Sequence, residues 1–271
     1  IRMLELCTPV IFANVKILSF LKKEFNLAAA IHGIDKLDQL VVGKINVLNV
    51  WREGVNLEFG KNDDVVGGYA VKSFIAATNA LKDGFVDVLV TAPINKYNIQ
   101  SDDFKFPGHT DYLNKELTGD ALMLMVHDDL RVGLLTDHVP VNEVAKNLTE
   151  RLILSKIQTV IKTLKQDFEI EKPKIAVLGL NPHSGDNGVI GDEEEKIMKP
   201  ALKKLFEAGN LVFGPFSADG FFGSSQYEKY DAVIATYHDQ GLIPFKTLSF
   251  GTGVNYTAGL DKIRTSPDHG T

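Results

Sequence analysis

The stretch YDAVIATYHDQGLIPFKTLSFGTGVNYTAGLDKIR, residues 230–264, decides the fold that we expect for this chain. It opens with an apolar run, 231–237, which has the composition of a strand buried on both faces of a parallel sheet. His238, Asp239 and Gln240 follow this run at once. Open α/β sheets bind their ligands at the carboxyl ends of such strands, so this polar cluster predicts a site there.

Three side chains suited to an anionic ligand follow in the same stretch, namely Lys246, Asn255 and Arg264. Any one of them alone is more often a solvated surface residue. A guanidinium, however, binds phosphate through two parallel hydrogen bonds. Because all three lie downstream of His238, we interpret the stretch as one wall of an active site.

Composition narrows the classes of protein to be considered. The chain has 271 residues, enough for two α/β domains or one large one. Its 29 Lys and Arg against 35 Asp and Glu give a net charge of −6, and the sequence has no basic block. Nucleic acid is therefore an unexpected partner, and an anionic substrate has to be held by a few placed cations.

Cysteine usage and the chain ends bear on location. The one cysteine, Cys7, excludes an internal disulfide and a thiolate-rich metal site, which suits a cytoplasmic protein. No stretch approaches the roughly 20 apolar residues that cross a bilayer, so no membrane association is expected. The first residues lack the pattern of a signal peptide. The chain begins without Met and stops at Thr271, so we expect both natural ends to be missing.

Strand and helix patterns alternate along the chain, which favours an α/β fold with a parallel sheet. We expect strands at 7–13, 45–50, 86–91, 122–126, 132–136 and 175–180, and helices at 15–25, 65–81, 149–167 and 191–208. Thr149 is a plausible cap of the third helix. The turn-rich segment 104–110 is suited to carry the chain into a second domain.

Three apolar runs each end in a histidine within a few residues, at His138, His183 and His238. In a parallel sheet the carboxyl ends of the strands lie along one edge. Three imidazoles there could bind one divalent metal and leave positions open for water or substrate. A single histidine after a strand is more often a hydrogen-bonding loop residue, so the repetition carries the metal hypothesis.

Other polar residues near these runs have more than one interpretation. Asp137 and Asp239 could orient the neighbouring histidines, ligate the metal directly or simply form turns. His109 and Thr110, after a glycine, could donate to a carboxylate or phosphate, or form a turn with a helix cap. Lys96, after a strand pattern, is a site lysine or a surface charge.

The glycine-rich loop 185–191 precedes a helix pattern and so resembles a phosphate cradle. Asp186 and the acidic residues 192–195 would repel a phosphate, and the spacing of a dinucleotide-binding loop is absent. We therefore reject a phosphate site at this loop.

The motifs that carry these residues resemble those of the 4-hydroxythreonine-4-phosphate dehydrogenases of vitamin B6 biosynthesis. The matching segments are VTAPINK (90–96), FPGHTDYL (106–113), RVGLLTDHVP (131–140), GLNPHSGDNGVIG (179–191), FGPFSADGFF (213–222), YHDQGLIPFK (237–246) and GVNYTAGLDKIRTSPDHGT (253–271). They occur in order from about a third of the way along the chain to its last residue.

This resemblance implies a fold of two α/β/α domains with a cleft between them, similar to the isocitrate and isopropylmalate dehydrogenases. We expect a first domain at 1–106, completed by 258–271, and a second at 107–257 that carries most of the metal site. The resemblance also implies a homodimer whose sites draw on both subunits.

The resemblance assigns roles to the residues that match the family motifs. The metal ligands are His138, His183 and His238, and the metal is zinc, magnesium or cobalt. The substrate-binding residues are His109, Thr110, Lys246, Asn255 and Arg264. The catalytic residue is not assigned, and its candidates are Asp219, Asp239 and Lys96.

The resemblance has one gap. Members of the family begin with a glycine-rich segment similar to GDPAGIG, and residues 1–30 contain no match to it. Members also continue past the segment that ends at Thr271. The residues that contact NAD or NADP are for this reason not assigned.

The function implied is the NAD(P)-dependent, metal-assisted oxidation and decarboxylation of 4-phosphohydroxy-L-threonine to 3-amino-2-oxopropyl phosphate. One alternative keeps the fold and metal but takes a 4-phosphorylated sugar acid, threonate or erythronate 4-phosphate. A more distant one is a metal-dependent hydrolase or lyase without a dinucleotide, since three histidines and a water would also serve that chemistry.

Overall fold

The computed structural model describes residues 2–271. Its strands are β1 (Val10–Ala13), β2 (Ile31–Ile34), β3 (Ile45–Asn49), β4 (Val88–Val90), β5 (Gly119–His127), β6 (Leu130–Leu134), β7 (Lys174–Leu178), β8 (Leu211–Phe216), β9 (Ala232–Ala235), β10 (Val254–Leu260) and β11 (Ile263–Pro267). Its α-helices are α1 (Val15–Glu24), α2 (Asp64–Lys82), α3 (His109–Glu116), α4 (Val144–Asn147), α5 (Glu150–Gln166), α6 (Lys199–Glu207), α7 (Ala218–Gly223) and α8 (His238–Ser249). Within residues 2–271, no helix is long and apolar enough to cross a membrane.

The chain forms two compact units, one of residues up to 116 together with 270–271, the other of residues 117–269. The division expected from sequence was 1–106 and 107–257, with 258–271 returning to the first domain. The structure places β10 and β11 in the second unit, because β10 is hydrogen-bonded to β5 from Val254 to Leu260.

The first unit contains a three-stranded parallel sheet in the order β1-β3-β2. Asn14 caps α1, because its side chain accepts a hydrogen bond from the Lys16 N–H at 2.8 Å. The same side chain donates to the carbonyl of Trp51 at 2.8 Å and so joins the start of α1 to the chain after β3. Strand β2 lies in a region where the sequence pattern was irregular and no strand was predicted.

The seven strands of the second unit are hydrogen-bonded in the order β11-β10-β5-β6-β9-β7-β8. Strands β6, β9, β7 and β8 are parallel, as the alternation of strand and helix patterns predicted. The pairs β5–β6, β5–β10 and β10–β11 are antiparallel. The sheet is therefore mixed, because β5 and β10 each turn back into the next strand through a short hairpin rather than a helix.

Alternate residues of the central strands pack on opposite faces of this sheet, which gives the second unit three layers. Ile175 and Val177 of β7 belong to a buried cluster with residues of α5 and α6. Ala176 and Leu178 of the same strand belong to a second cluster with residues of α7 and α8.

The helices mostly match the sequence patterns. Thr149 is the N-cap of α5, as predicted, since its hydroxyl accepts a hydrogen bond from the Leu152 N–H at 3.2 Å. The helix predicted over 191–208 is interrupted: its first part is a π-helical turn, Glu194–Met198, and α6 follows. This departure places Glu194 in the interior, where it is 0% exposed.

Gly241 lets the first turn of α8 approach the sheet closely. A Cβ at this position would lie 2.8 Å from Leu134 Cδ2 and 3.0 Å from both Ala235 Cβ and Val132 Cγ1. These atoms belong to the two strands that carry His138 and His238. The tight packing thus fixes where α8 begins relative to β6 and β9.

We expect Gly241→Ala to lower the free energy of unfolding by about 1–3 kcal/mol, because the added methyl overpacks this contact. Urea denaturation measures the change. Gly223→Ala in α7 is the matched control, since within residues 2–271 no other group lies within 4 Å of the position that its new methyl would take. Equal stability of the two variants would contradict the close-packing argument.

Candidate functional site

The three predicted histidines follow three neighbouring strands of the second unit. Strand β9 is the middle one, paired in parallel with β6 on one side and with β7 on the other. His138 follows β6, His238 follows β9 and His183 follows β7. The carboxyl ends of parallel strands meet at one edge of a sheet, so the structure brings these three segments to the same edge.

A group of buried hydrogen bonds ties these strand ends together. The Thr136 hydroxyl donates to the Thr236 carbonyl at 2.6 Å, which joins β6 to β9. The Gln240 amide oxygen accepts from the Thr236 N–H at 2.7 Å and from its hydroxyl at 2.8 Å. The Gln240 amide nitrogen donates to the Gly179 carbonyl at 2.6 Å, just after β7. Gln240 therefore joins the ends of β9 and β7, and the Thr136–Thr236 bond adds the end of β6 to the same group.

His138 and His238 lie close enough to bind one ion, because their ring centroids are 5.8 Å apart. An imidazole nitrogen bound at about 2.0 Å puts its ring centroid roughly 3.2 Å from the metal, so two ligands of one ion have centroids at most about 6.4 Å apart. The observed separation falls inside this limit. The pair is thus compatible with a shared divalent metal.

Asp239 orients one of these rings. His238 Nδ1 lies 2.7 Å from Asp239 Oδ1, and a carboxylate can only accept, so Nδ1 carries the proton of this hydrogen bond. The other ring nitrogen, Nε2, then keeps its lone pair for a metal. A carboxylate behind a metal-binding histidine is the usual arrangement in proteins, which favours the orienting interpretation of Asp239.

His183 lies on a backbone segment of unusual conformation. Residues 183–187 all have φ between 42° and 79°, and only one of them, Gly185, is a glycine. A left-handed conformation costs roughly 1–2 kcal/mol for each non-glycine residue, so contacts elsewhere must hold this segment. Such strain concentrates at functional sites.

His183 is one of the groups that influence the pKa of Asp219. The pKa of Asp219 is lowered from its ordinary value, first by the hydrogen bond from the Ser217 hydroxyl at 2.5 Å and then by the Gly220 N–H, with a smaller contribution from His183. The segment that carries His183 lies against α7, whose first turn contains Asp219.

The donor set fits a divalent metal in kind, with three imidazoles and one orienting carboxylate. In the described chain, residues 2–271, no three His, Cys, Asp or Glu side chains are arranged with the spacing of metal ligands. The structure thus gives a compatible pair, His138 and His238, with His183 on the adjacent strand end. The three-histidine set remains a prediction.

The predicted anion-binding residues of the second unit differ in exposure. Lys246 is exposed in the last turn of α8, where its Nζ donates to the Asp268 carbonyl at 3.0 Å. Asn255 is half-buried on β10 and paired with Ser266 of β11. Arg264 is 3% exposed, and its Nη1 donates to the Thr257 hydroxyl at 3.1 Å. Burial lowers the pKa of Arg264 to about 10, so it remains a cation at neutral pH.

The other predicted site residues belong to the first unit. His109 and Thr110 open helix α3, which agrees with the interpretation of this pair as a helix start. The His109 ring packs edge-on against Phe74 at a centroid distance of 4.7 Å, which orients the imidazole. Lys96 is exposed in the turn after β4.

Sequence reasoning gave no role to the residues that hold the edge of the sheet together. Gln240 was quoted in the polar cluster without one, and Thr136, Thr236 and Glu194 were not singled out as site residues. One signal was available for the threonines: each lies two residues before a histidine, at the end of an apolar run. The burial of Glu194 had no such signal.

This chain is similar to a family of known sequences, to curated proteins and to solved structures. The model described as pyridoxal phosphate biosynthetic protein PdxA matches residues 5–271. A 4-hydroxythreonine-4-phosphate dehydrogenase from Bacteroides thetaiotaomicron is 45% identical over 271 residues, covering 99% of this chain and 74% of its own length. One from a Sulfurihydrogenibium species is 40% identical, covering 97% and 80%.

Solved structures are similar as well. The crystal structure of a 4-hydroxythreonine-4-phosphate dehydrogenase from Burkholderia phymatum superposes with a TM-score of 0.82 at 33% identity, covering 97% of this chain and 81% of that one. A terephthalate 1,2-cis-dihydrodiol dehydrogenase from Burkholderia xenovorans shares the fold, with a TM-score of 0.64 at 22% identity and coverages of 97% and 81%. The predicted α/β fold class is therefore confirmed.

We expect Gln240→Glu to lower the free energy of unfolding by about 1–3 kcal/mol, because a carboxylate cannot donate to the buried Gly179 carbonyl. Chemical denaturation at neutral pH measures this. Gln158→Glu on the exposed face of α5 makes the same chemical change without a buried partner and should stay within about 0.5 kcal/mol of the wild type. A Gln240→Glu protein as stable as this control would show that the amide does not hold the strand ends.

Proposed function

The chain belongs to the PdxA family of pyridoxal phosphate biosynthetic proteins, and on this premise we propose that it is a 4-hydroxythreonine-4-phosphate dehydrogenase. It oxidises the hydroxyl of 4-phosphohydroxy-L-threonine to a ketone and transfers the hydride to a nicotinamide cofactor, with release of one proton. The β-keto acid then loses CO₂, and its α-carbon takes up one proton, which gives 3-amino-2-oxopropyl phosphate. The observation that carries this proposal is the match of residues 5–271 to the family, together with curated relatives of this name at up to 45% identity.

We propose that His138, His183 and His238 hold one divalent ion, zinc, magnesium or cobalt. When bound, such an ion supplies a Lewis acid that makes the substrate hydroxyl easier to ionise. The chain's own contribution is to fix the imidazoles. The hydrogen bonds of Gln240 and Thr136 align the three strand ends, and Asp239 holds the His238 ring with one nitrogen available.

We assign substrate binding to cations and hydrogen-bond donors, which are the side-chain types that suit a phosphorylated amino acid. Lys246 and Arg264 supply positive charge to the phosphate, in a chain whose net charge is −6. Asn255, His109 and Thr110 supply neutral polar contacts. Selectivity for an anion is therefore local, which agrees with the absence of any basic block in the sequence.

The candidates for the proton acceptor are Asp219, Asp239 and Lys96. The hydrogen bonds to Asp219 lower its pKa, and a weaker base has less tendency to take a proton from an alcohol. Asp239 is engaged with His238 at 2.7 Å. This contact favours an orienting role for Asp239. Lys96 is exposed, and the proton acceptor stays unassigned among these candidates.

Finer features of the proposal come from the family resemblance. We propose a cytoplasmic homodimer with active sites that draw on both subunits, and NAD or NADP as the hydride acceptor. The names of the relatives favour hydroxythreonine phosphate over a 4-phosphorylated sugar acid, and a dehydrogenase over a hydrolase or lyase without a dinucleotide.

Metal removal and loss of His183 test the metal assignment. We expect the wild-type protein to reduce NAD⁺ or NADP⁺ with 4-phosphohydroxy-L-threonine and to lose this activity on treatment with a chelator. We expect His183→Ala to lose at least about 100-fold in kcat/KM and to bind Co²⁺ more weakly, because one metal ligand is gone. Thermal unfolding should show that the variant is folded.

His127→Ala is the matched control, because His127 lies at the turn between β5 and β6, at the opposite end of β6 from His138. It should keep wild-type activity and Co²⁺ affinity. A His183→Ala protein that is fully active and binds metal normally would show that His183 is not a metal ligand. Activity that persists in the presence of the chelator would show that the reaction does not need a metal.

Lys246→Ala tests phosphate recognition. We expect KM for the phosphorylated substrate to rise by roughly 10-fold or more, since a hydrogen bond to a charged group contributes about 1.5–3 kcal/mol. KM for the dephosphorylated analogue should change little. Lys203→Ala on α6, another exposed lysine, should leave both values unchanged. An equal rise for the two substrates would place Lys246 away from the phosphate.

A further inference from the structure

We propose that Glu194 is a positioning residue, whose buried carboxylate holds the segment 181–187 in the conformation that presents His183. This inference rests on the proposed metal-binding role of His183. Glu194 is the first residue of the π-helical turn before α6, and its side chain is 0% exposed. A buried carboxylate requires hydrogen-bond donors, and the partners of Glu194 identify what it organises.

Both oxygens of the carboxylate bind the same residue, Asn181. Oε1 accepts from the Asn181 backbone N–H at 2.7 Å, and Oε2 accepts from its side-chain Nδ2 at 2.9 Å. Nδ2 also donates to Glu193 at 2.7 Å. Asn181 precedes His183 by two residues. The two hydrogen bonds from Asn181 to Glu194, which we call the clamp, therefore hold the chain immediately before the left-handed segment begins.

The loop is shaped around this carboxylate. A Cβ on Gly185 would lie 2.8 Å from Glu194 Oε2, and one on Gly179 would lie 3.0 Å from Oε1. The absence of side chains at these two glycines therefore leaves the space that the carboxylate fills. Gly185 belongs to the loop 185–191, which resembles a phosphate cradle in the sequence, and here it and Gly179 accommodate a carboxylate of the protein itself.

The π-helical turn explains how Glu194 reaches the loop. A π-helical turn accommodates an extra residue and changes the direction of the side chains before it, and such turns are frequent at functional sites. Met198, at the end of the turn, packs into the same buried cluster as α5 and α6. The residues after Glu194 thus keep their packing against the core, while the Glu194 side chain points at Asn181.

A clamp is needed here because residues 183–187 adopt the left-handed conformation, which L-residues rarely hold without outside contacts. The Ser184 hydroxyl donates to the Pro215 carbonyl at 3.0 Å and the Ile190 N–H donates to the Gly185 carbonyl at 3.0 Å. These bonds hold the middle of the segment. The bonds from Asn181 to Glu194 fix its start, next to His183.

The test is Glu194→Gln, which keeps the size and shape of the side chain. It replaces one carboxylate oxygen by an NH₂ group, which cannot accept the hydrogen bond that an Asn181 N–H donates at that position. We expect Co²⁺ affinity, measured by calorimetry on the full chain, to fall about 10- to 100-fold, the usual effect of losing a residue that orients a metal ligand. The visible absorption spectrum of the Co²⁺-loaded variant should also change. KM for the phosphorylated substrate should stay within about twofold, because the clamp is not a substrate contact.

Glu195→Gln is the matched control, since Glu195 is the next residue, lies at the surface and pairs with Lys199. It should bind Co²⁺ as the wild type does. A Glu194→Gln protein with wild-type Co²⁺ affinity and spectrum, whether or not its melting temperature falls, would overturn the proposal and leave Glu194 a structural residue.

His183→Ala separates this failure from failure of the proposed function. If His183→Ala loses Co²⁺ and Glu194→Gln does not, only the positioning role is wrong. If His183→Ala binds Co²⁺ as tightly as the wild type, the metal assignment is wrong and the positioning role falls with it.

Asn181→Ala decides the matter if Glu194→Gln does not fold. It removes the side-chain half of the clamp and keeps the backbone N–H bonded to the carboxylate. We expect a smaller loss of Co²⁺ affinity, about 3- to 10-fold, with the same spectral change. Unchanged Co²⁺ binding by folded Asn181→Ala would overturn the proposal.

Discussion

The hydrogen bonds of one amide side chain, that of Gln240, hold the candidate site together. Its oxygen accepts from the backbone and hydroxyl of Thr236 and its nitrogen donates to Gly179, at distances of 2.6–2.8 Å. Each strand end would otherwise leave polar groups unpaired inside the sheet edge, where an unsatisfied group costs about 1–3 kcal/mol. Because the partners lie just after β9 and β7, and Thr136 extends the group to the end of β6, satisfying these atoms also fixes the three histidine-bearing segments against one another.

The three histidines are positioned by two different physical means. His138 and His238 follow strand ends directly, and their positions are set by sheet register and by the close packing that Gly241 permits. His183 lies on a segment whose backbone is intrinsically unfavourable, so its position depends on contacts supplied from elsewhere. If His183 binds a metal as proposed, a buried carboxylate that restrains this segment also restrains its imidazole.

Much of the fold and part of the site could be predicted from the sequence. Apolar runs gave β6, β7 and β9 and the histidines after them, because burial on both faces leaves a continuous apolar pattern. The antiparallel strands β10 and β11 were missed, since their pairing depends on a hairpin and a distant partner, β5. The positive φ angles of residues 183–187 were equally inaccessible. Four of those five residues are not glycine, and only tertiary contacts impose that conformation.

Arg264 shows why a buried cation fits the proposed substrate. Burial lowers its pKa to about 10, so at neutral pH it stays charged and its desolvation is a cost to the folded protein. Its Nη1 donates to the Thr257 hydroxyl at 3.1 Å, and such hydrogen bonding offsets part of that cost. A phosphate bound by this guanidinium would recover part of the cost on binding. In a chain of net charge −6 such binding energy must come from placed cations, and a desolvated arginine provides more of it than a solvated one.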